Sequence, residues 1–203
     1  MKTTLFKVLV WVFGVLVVQP LWAAESEPEM LIRQTTQTVL QEIKKNQPEY
    51  KQDPSKLYAM VDTKVLKYFD FGRMTDLALG RYKRKVEKDQ RNELVTQFRT
   101  LLVRTYGKAL LEYNDEVIQY LPMRGNLAKG EVTIRTEVEQ KGGFPIPINY
   151  DMALDGGNWT VYDISIDNIS LVTNYRSSFA KEIKAGGVDA LIKKLQARNT
   201  EES

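Results

Sequence analysis

Between Asn158 and Phe179 the apolar side chains switch once, from strand alternation to helical spacing, and that switch constrains the fold more than any other feature. Trp159, Val161 and then Tyr162, Ile164 and Ile166 load both faces of a strand with β-forming side chains. The strand breaks at Asp167-Asn168. Leu171, Val172, Tyr175 and Phe179 then recur at helical spacing, with Ser170 in position as N-cap. A short strand-to-helix joint with apolar side chains on both elements builds the wall of a pocket. It carries none of the residue types that catalysis usually needs.

The rest of the chain sorts by the same periodicity. Residues 28–46 read as a first helix with Leu31, Ile32, Val39, Leu40 and Ile43 inward. Asp53-Pro54 is an N-cap and first-turn pair for a second helix. A third helix, Arg73 to Leu79, stops at Gly80. The longest helix is expected from Asp89 to Tyr113, on the stripe Leu94, Phe98, Leu101, Leu102, Tyr106, Ala109, Leu110 and Tyr113. From Glu116 the pattern alternates. Val132, Ile134, Thr136 and Val138 form one strand; Ile146, Ile148, Tyr150, Met152 and Leu154 form the next. Asp155-Gly156-Gly157-Asn158 is a hairpin turn into the last. With Glu116 to Pro122 this predicts four antiparallel strands. Gly186-Gly187 separates two C-terminal helices. Helices, a meander, then helices make an α+β fold.

Composition removes whole classes of chemistry. The chain has no cysteine and no histidine. Thiol and Ser-His-Asp nucleophiles, disulfides and the usual zinc sites are therefore excluded, leaving carboxylates, Lys, Tyr and Arg for acid–base work. The N-terminus reads as a signal peptide, residues 1–24. Lys2 and Lys7 precede an apolar run from Val8 to Val18, Pro20 follows, and Ala23-Ala24 offers the cut. The run is shorter than the about 20 residues that span a bilayer. Export is expected, with residues 25–203 as one domain. Without Lys2 and Lys7, 27 basic side chains face 26 acidic ones, so net charge says little about partners and does not favour nucleic acid.

Three ordered segments resemble the MlaC family, the periplasmic phospholipid-binding (toluene-tolerance) proteins of the Mla lipid-transport pathway. The first is Trp159-Thr160-Val161-Tyr162-Asp163, Ile169-Ser170-Leu171-Val172 and Tyr175-Arg176-Ser177-Ser178-Phe179, followed by Gly187 and Leu191-Ile192. The second is Phe69-Asp70-Phe71-Gly72-Arg73-Met74 with Ala78-Leu79-Gly80. The third is Gln90-Arg91 and Phe98 to Tyr106. Asp167-Asn168 stands where the family pattern has Glu-Gly; Asn tolerates a left-handed backbone, so the turn is expected to survive. The resemblance implies a curved four-stranded sheet, similar to nuclear-transport-factor-2-like cones, enclosing an apolar cavity with the helices. It implies a monomeric periplasmic carrier without cofactor or catalytic residue that maintains outer-membrane lipid asymmetry. Its implied partners are an inner-membrane ABC transporter with an MCE-type subunit and an outer-membrane lipoprotein/porin complex.

On that reading the lipid-binding walls are Ile146, Ile148, Tyr150 and Met152 on the sheet, and Ile164, Ile166, Ile169, Val172 and Tyr175 around the joint. The long helix adds Phe98, Leu102 and Tyr106, with Met74 and Leu77 at the entrance. The same aliphatic stripes also read as ordinary core. Shielding is what a lipid carrier needs: two chains of roughly 16 carbons represent about 20 kcal/mol of burial or more. A rigid empty void of about 500 Å³ would cost about 12 kcal/mol, so the chain is expected to hold lipid or to close. Arg81, Lys83, Arg84 and Lys85 form the densest basic patch, read either as a solvated loop or as docking to an acidic partner or anionic head groups. Arg176 is read as a phosphate contact or as an ion pair with Asp163 or Asp167. Two other classes stay open: an adaptor or chaperone without lipid, and an enzyme pairing a pocket carboxylate with a tyrosine. Asp70, Asp76, Asp151 and Asp163 are the carboxylates in question.

Overall fold

The computed structural model describes residues 26–201, so the expected signal peptide lies outside the described residues. Helix α1 (Glu27–Gln52) opens with a capping box, in which the Ser26 N–H donates to Glu29 Oε2 at 3.0 Å, and with Pro28 in its first turn. It runs past the expected end at residue 46 and through Pro48. Tyr50, buried in the helical core, anchors this last stretch. Helix α2 (Pro54–Lys64) starts where expected, with the Asp53 carboxylate accepting from the Ser55 N–H at 3.1 Å. A 3₁₀ turn (Leu66–Tyr68) leads to α3 (Phe71–Leu79), capped by Asp70 through the Arg73 N–H at 2.8 Å. A second 3₁₀ segment (Gly80–Lys85) carries the basic run.

Helix α4 (Lys88–Gly107) is shorter than the expected span to Tyr113, because the chain tightens into a 3₁₀ segment (Lys108–Glu112). At 20 residues it is also shorter than α1, at 26. The meander follows as β1 (Ile118–Asn126), β2 (Glu131–Val138), β3 (Ile146–Asp155) and β4 (Asn158–Ile166). A fifth strand, β5 (Ile169–Ser170), corrects the expectation of four. Its cause is local: Asp167 (φ 50°) and Asn168 (φ 63°) are both left-handed, which turns the chain back in two residues and pairs Ile166 with Ile169. Helix α5 (Leu171–Glu201) breaks at Gly187, whose φ of 80° and ψ of −175° suit only glycine.

The antiparallel order is β1-β2-β3-β4-β5. Register shifts between Leu121 and Arg124 in β1, and opposite Asp151-Met152 in β4, bend the sheet and give it a concave face. The free edge of β4 is covered where the Asp70 N–H donates to the Val161 carbonyl at 2.9 Å. Two cores result. One packs α2, α3, α4 and α5 with part of α1; the other packs Ile32 of α1 on Val132, Ile134, Met152, Trp159 and Val161 of the sheet. Among the described residues no helix is long and apolar enough to cross a membrane.

Candidate functional site: a concave sheet face that opens toward one end

Register alone puts the candidate sheet residues in transverse rows on one face. The innermost row is Val132–Met152–Val161, followed by Ile134–Tyr150–Ile164. The next row crosses all five strands as Tyr120–Thr136–Ile148–Ile166–Ile169, and Ile118–Val138–Ile146 ends the series. Exposure rises along β3 and β4. Val132, Met152 and Val161 are sealed, and on β2 Ile134 and Thr136 stay buried; Tyr150, Ile164, Ile148, Ile166 and Ile146 are half-buried; Ile169 is 59% exposed. Ile146 and Ile148 belong to neither core, whereas Ile164 and Ile166 pack against the helical one. An apolar face has thus been left partly uncovered at one end.

Tyr150 marks the transition. Burial is the main cause that pushes its hydroxyl up to about 12, with Tyr120 adding and a hydrogen bond with Thr136 opposing. The residue as a whole is half-buried, between the sealed row and the open end. The Thr136 hydroxyl donates to the Ile148 carbonyl at 2.8 Å, so the polar atoms of this row are occupied by one another.

The helical candidates divide. Phe98, Tyr175 and Phe179 form an edge-to-face aromatic cluster with Phe98 centroids 5.1 Å from each partner, and Met74, Leu102 and Val172 are buried with them. Leu77 and Tyr106 are half-buried against the same core. Burial, then the neighbouring Tyr175, raise the Tyr106 hydroxyl above its usual value. Ile164, Ile166 and Tyr106 each pack, half-buried, against the helical core that contains Tyr175, and Tyr106 neighbours Tyr175 itself. The structure holds Met152 at the closed end of the sheet and Ile169 on the rim.

The carboxylates are employed structurally. Asp163, at the β4 register shift, accepts from the Ile164 N–H at 2.8 Å, the Val172 N–H at 3.1 Å and the Ser170 hydroxyl. It ties strand, turn and helix start together while Ser170 Oγ accepts from the Thr173 N–H at 3.0 Å. Burial raises the Asp163 carboxyl despite those three bonds, and Asp151 across the strand adds to the effect. Asp151 accepts from the Thr133 hydroxyl at 2.6 Å. Asp76 is held by Arg91 at 2.7 Å and Lys83 at 2.6 Å. Tyr162 lies under the Arg73 guanidinium at 3.6 Å, and Arg73 also pairs with Glu131 at 2.9 Å. Sequence reasoning named Asp163 only as a candidate pocket carboxylate or partner of Arg176 and missed its role in tying the joint together, although the apolar alternation 159, 161 then 164, 166 skips one position where the bulge falls.

Arg176 meets neither Asp163 nor Asp167 as an ion pair. Its Nε donates to the Leu77 carbonyl at 2.9 Å, closing the C-terminal end of α3 beside Gly80 (φ 53°). Arg81, Tyr82, Arg84 and Lys85 line an open depression of about 440 Å³, and a second of about 280 Å³ lies among Leu31, Gln34, Thr35, Thr38, Lys64, Lys67 and Tyr68. Neither is lined by the concave sheet face.

Residues 33–197 match the family model described as "MlaC protein". The chain belongs to the MlaC family. It is similar to the MlaC intermembrane phospholipid transport system binding protein of Haemophilus influenzae, 26% identical over 194 residues, covering 94% of this chain and 91% of the relative. It is also similar to the toluene tolerance protein ttg2D of Pseudomonas putida, 27% identical over 170 residues, covering 83% and 79%. Among solved structures, the phospholipid-binding protein of Ralstonia solanacearum in complex with a phospholipid superimposes with a TM-score of 0.80. That pair is 29% identical and covers 87% of this chain and 99% of that one. The α+β architecture read from periodicity is thus that of the MlaC family.

Proposed function

We propose that this MlaC-family chain is a soluble periplasmic carrier that shields phospholipid acyl chains between its concave sheet face and its helices. The observation that carries the reading is the graded opening of that face, from sealed Met152 and Val161 to half-buried Ile146, Ile148 and Ile166. A similar protein of the family holding a phospholipid supports it. Acyl chains enter along Ile148, Tyr150, Ile164 and Ile166, with Tyr106 and Tyr175 on the helical side. Met74, Leu77, Phe98, Leu102 and Val172 form the wall behind them, Met152 the floor, and Ile146 and Ile169 the lip. Because those wall residues are close-packed, lipid enters by displacing helices from the sheet rather than by filling a standing void.

Transfer requires no chemistry, only partners that lower the barrier to chain exit. The carrier moves lipid between an inner-membrane ABC transporter bearing an MCE-type subunit and an outer-membrane lipoprotein/porin complex, and so maintains lipid asymmetry. Arg81, Lys83, Arg84 and Lys85 present the basic surface that such partners or anionic head groups meet. The leader, cut near Ala23-Ala24, directs residues 25–203 to the periplasm as one domain. The test is transfer of a self-quenched fluorescent phospholipid between donor vesicles and acceptors holding the transporter complex. Dequenching that depends on this chain is the expected result. No acceleration at any concentration of the chain would overturn the shuttle.

A further inference from the structure

The three most exposed large apolar side chains among the described residues are Phe144 at 92%, Ile169 at 59% and Val117 at 56%. They come from three separate places in the chain: Val117 from the segment before β1, Phe144 from the β2–β3 loop and Ile169 from the first position of β5. Register nevertheless places all three at one end of the sheet. Val117 precedes Ile118, which pairs with Val138; Val138 pairs with Ile146, two residues after Phe144; and Ile169 pairs with Ile166. This is the end at which the concave face opens. Met30, Leu127 and Leu154, exposed at 40–44%, lie outside this rim.

Phe144 is held out by an ordered turn. The Gly143 N–H donates to the Gln140 carbonyl at 3.3 Å, Gly142 takes a φ of 78°, and Pro145 fixes the chain immediately after the ring. Lys141, also exposed, stands three residues before it. The rim is apolar at its three tips and its charges are of mixed sign. Lys44 pairs with Asp115 beside Val117, Glu116 and Asp167 flank Val117 and Ile169, and Glu139 and Lys141 precede Phe144. It therefore carries no single-sign field of the kind that selects a charged protein surface. An aromatic ring that projects past a lysine suits a bilayer interface, where the ring enters the acyl boundary and the ammonium stays among head groups.

We infer that the rim formed by Phe144, Ile169 and Val117 docks on the surface of a phospholipid bilayer, with Phe144 as the inserting anchor. The inference rests on the carrier reading and deepens it: the mouth through which chains would leave is pressed against the phase that receives them. Acyl chains then pass from one apolar environment to the next without wetting.

The test is flotation of the mature chain with phosphatidylethanolamine/phosphatidylglycerol vesicles, beside Phe144→Ser and the off-rim control Leu127→Ser, with bound lipid counted by native mass spectrometry. The account expects wild type and Leu127→Ser to float alike. Phe144→Ser should partition about tenfold more weakly or worse, the order for returning one Phe side chain to water. A Phe144→Trp variant should show blue-shifted emission on vesicle addition. Equal flotation of Phe144→Ser and wild type overturns the inference. So does a lipid-loaded wild type that does not float, which would assign the rim to a protein partner while leaving the carrier reading intact. A chain that carries no lipid overturns the carrier reading and this inference together.

Discussion

Asp163→Ala should destabilise the fold by about 2 kcal/mol, although Asp163 sits beside the proposed lipid site rather than in it. The carboxylate is 9% exposed and accepts from the N–H of Val172, a residue 2% exposed at the start of α5. Leaving that buried donor without a partner costs about 1–3 kcal/mol, which includes the about 1 kcal/mol of an ordinary helix cap. Removing a buried carboxylate returns part of this, since burial already opposes its ionisation. For a chain of this length about 2 kcal/mol lowers the melting temperature by about 4–8 °C. Asp163→Asn keeps one acceptor oxygen and should cost about half as much. The two are compared by urea titration and by thermal melting at neutral pH.

The pH dependence has a defined sign. The folded Asp163 carboxyl is raised above its ordinary 3.8, so the fold bears no ionisation penalty below that value. The penalty is imposed as pH rises through the raised folded value, and it subtracts from the capping hydrogen bonds without removing them. Wild type should therefore gain on Asp163→Asn as pH falls toward 3.8. An Asp163→Ala cost below about 0.5 kcal/mol would refute the capping argument, because no buried donor would then have lost its partner.

Ile148→Asp should fold, since the side chain is half-exposed, but should copurify with at least about tenfold less phospholipid, as the loss of one buried Ile contact implies; equal lipid content would remove Ile148 from the site. Burial opposes ionisation of Asp76, yet Arg91 and Lys83 outweigh it and hold the carboxyl below its ordinary 3.8. That stabilisation is present above 3.8 and lost as pH falls through the lower folded value, so Asp76→Asn should flatten the acid limb of an unfolding-versus-pH curve. Gly187→Ala should cost about 1–3 kcal/mol from backbone strain alone, because a Cβ there meets no atom within 4 Å. An unchanged urea midpoint would show that α5 tolerates another path between its halves.

What the sequence disclosed follows from which forces are local. Asp53-Pro54, Gly80, Gly187 and the strand alternation are read within a few residues, and each element they predict exists. The hairpins Asp155–Asn158 and Asp167-Asn168 are equally local, but β5 is a consequence of the second that two residues of pattern could not announce. Tertiary contacts override the rest. The apolar pattern of the first helix stops at residue 46, yet α1 runs on through Pro48 to Gln52, with Tyr50 buried. Tyr113 continues an apolar stripe, yet the chain leaves the α conformation after Gly107. Arg176 offered a charge to a phosphate or a carboxylate and instead serves a carbonyl on α3, 99 positions away.

The candidate site shows the same division. Sequence alternation placed Ile146, Ile148, Tyr150 and Met152 on one face, but not the gradient along it, which depends on how far α1 reaches across the sheet through Ile32. Phe98 and Val172 look the same in sequence as Tyr106; the aromatic cluster separates the packed pair from the half-buried one. Phe144 gave no sequence signal, because an isolated Phe between glycine and proline has no period to read.

Native mass spectrometry of the mature chain purified from a Gram-negative host, followed by extraction of what it carries, tests the central claim most directly. The account predicts a stoichiometric mass increment matching a phospholipid. A bare chain mass that persists after incubation with phospholipid vesicles and membrane-bound partners would contradict it.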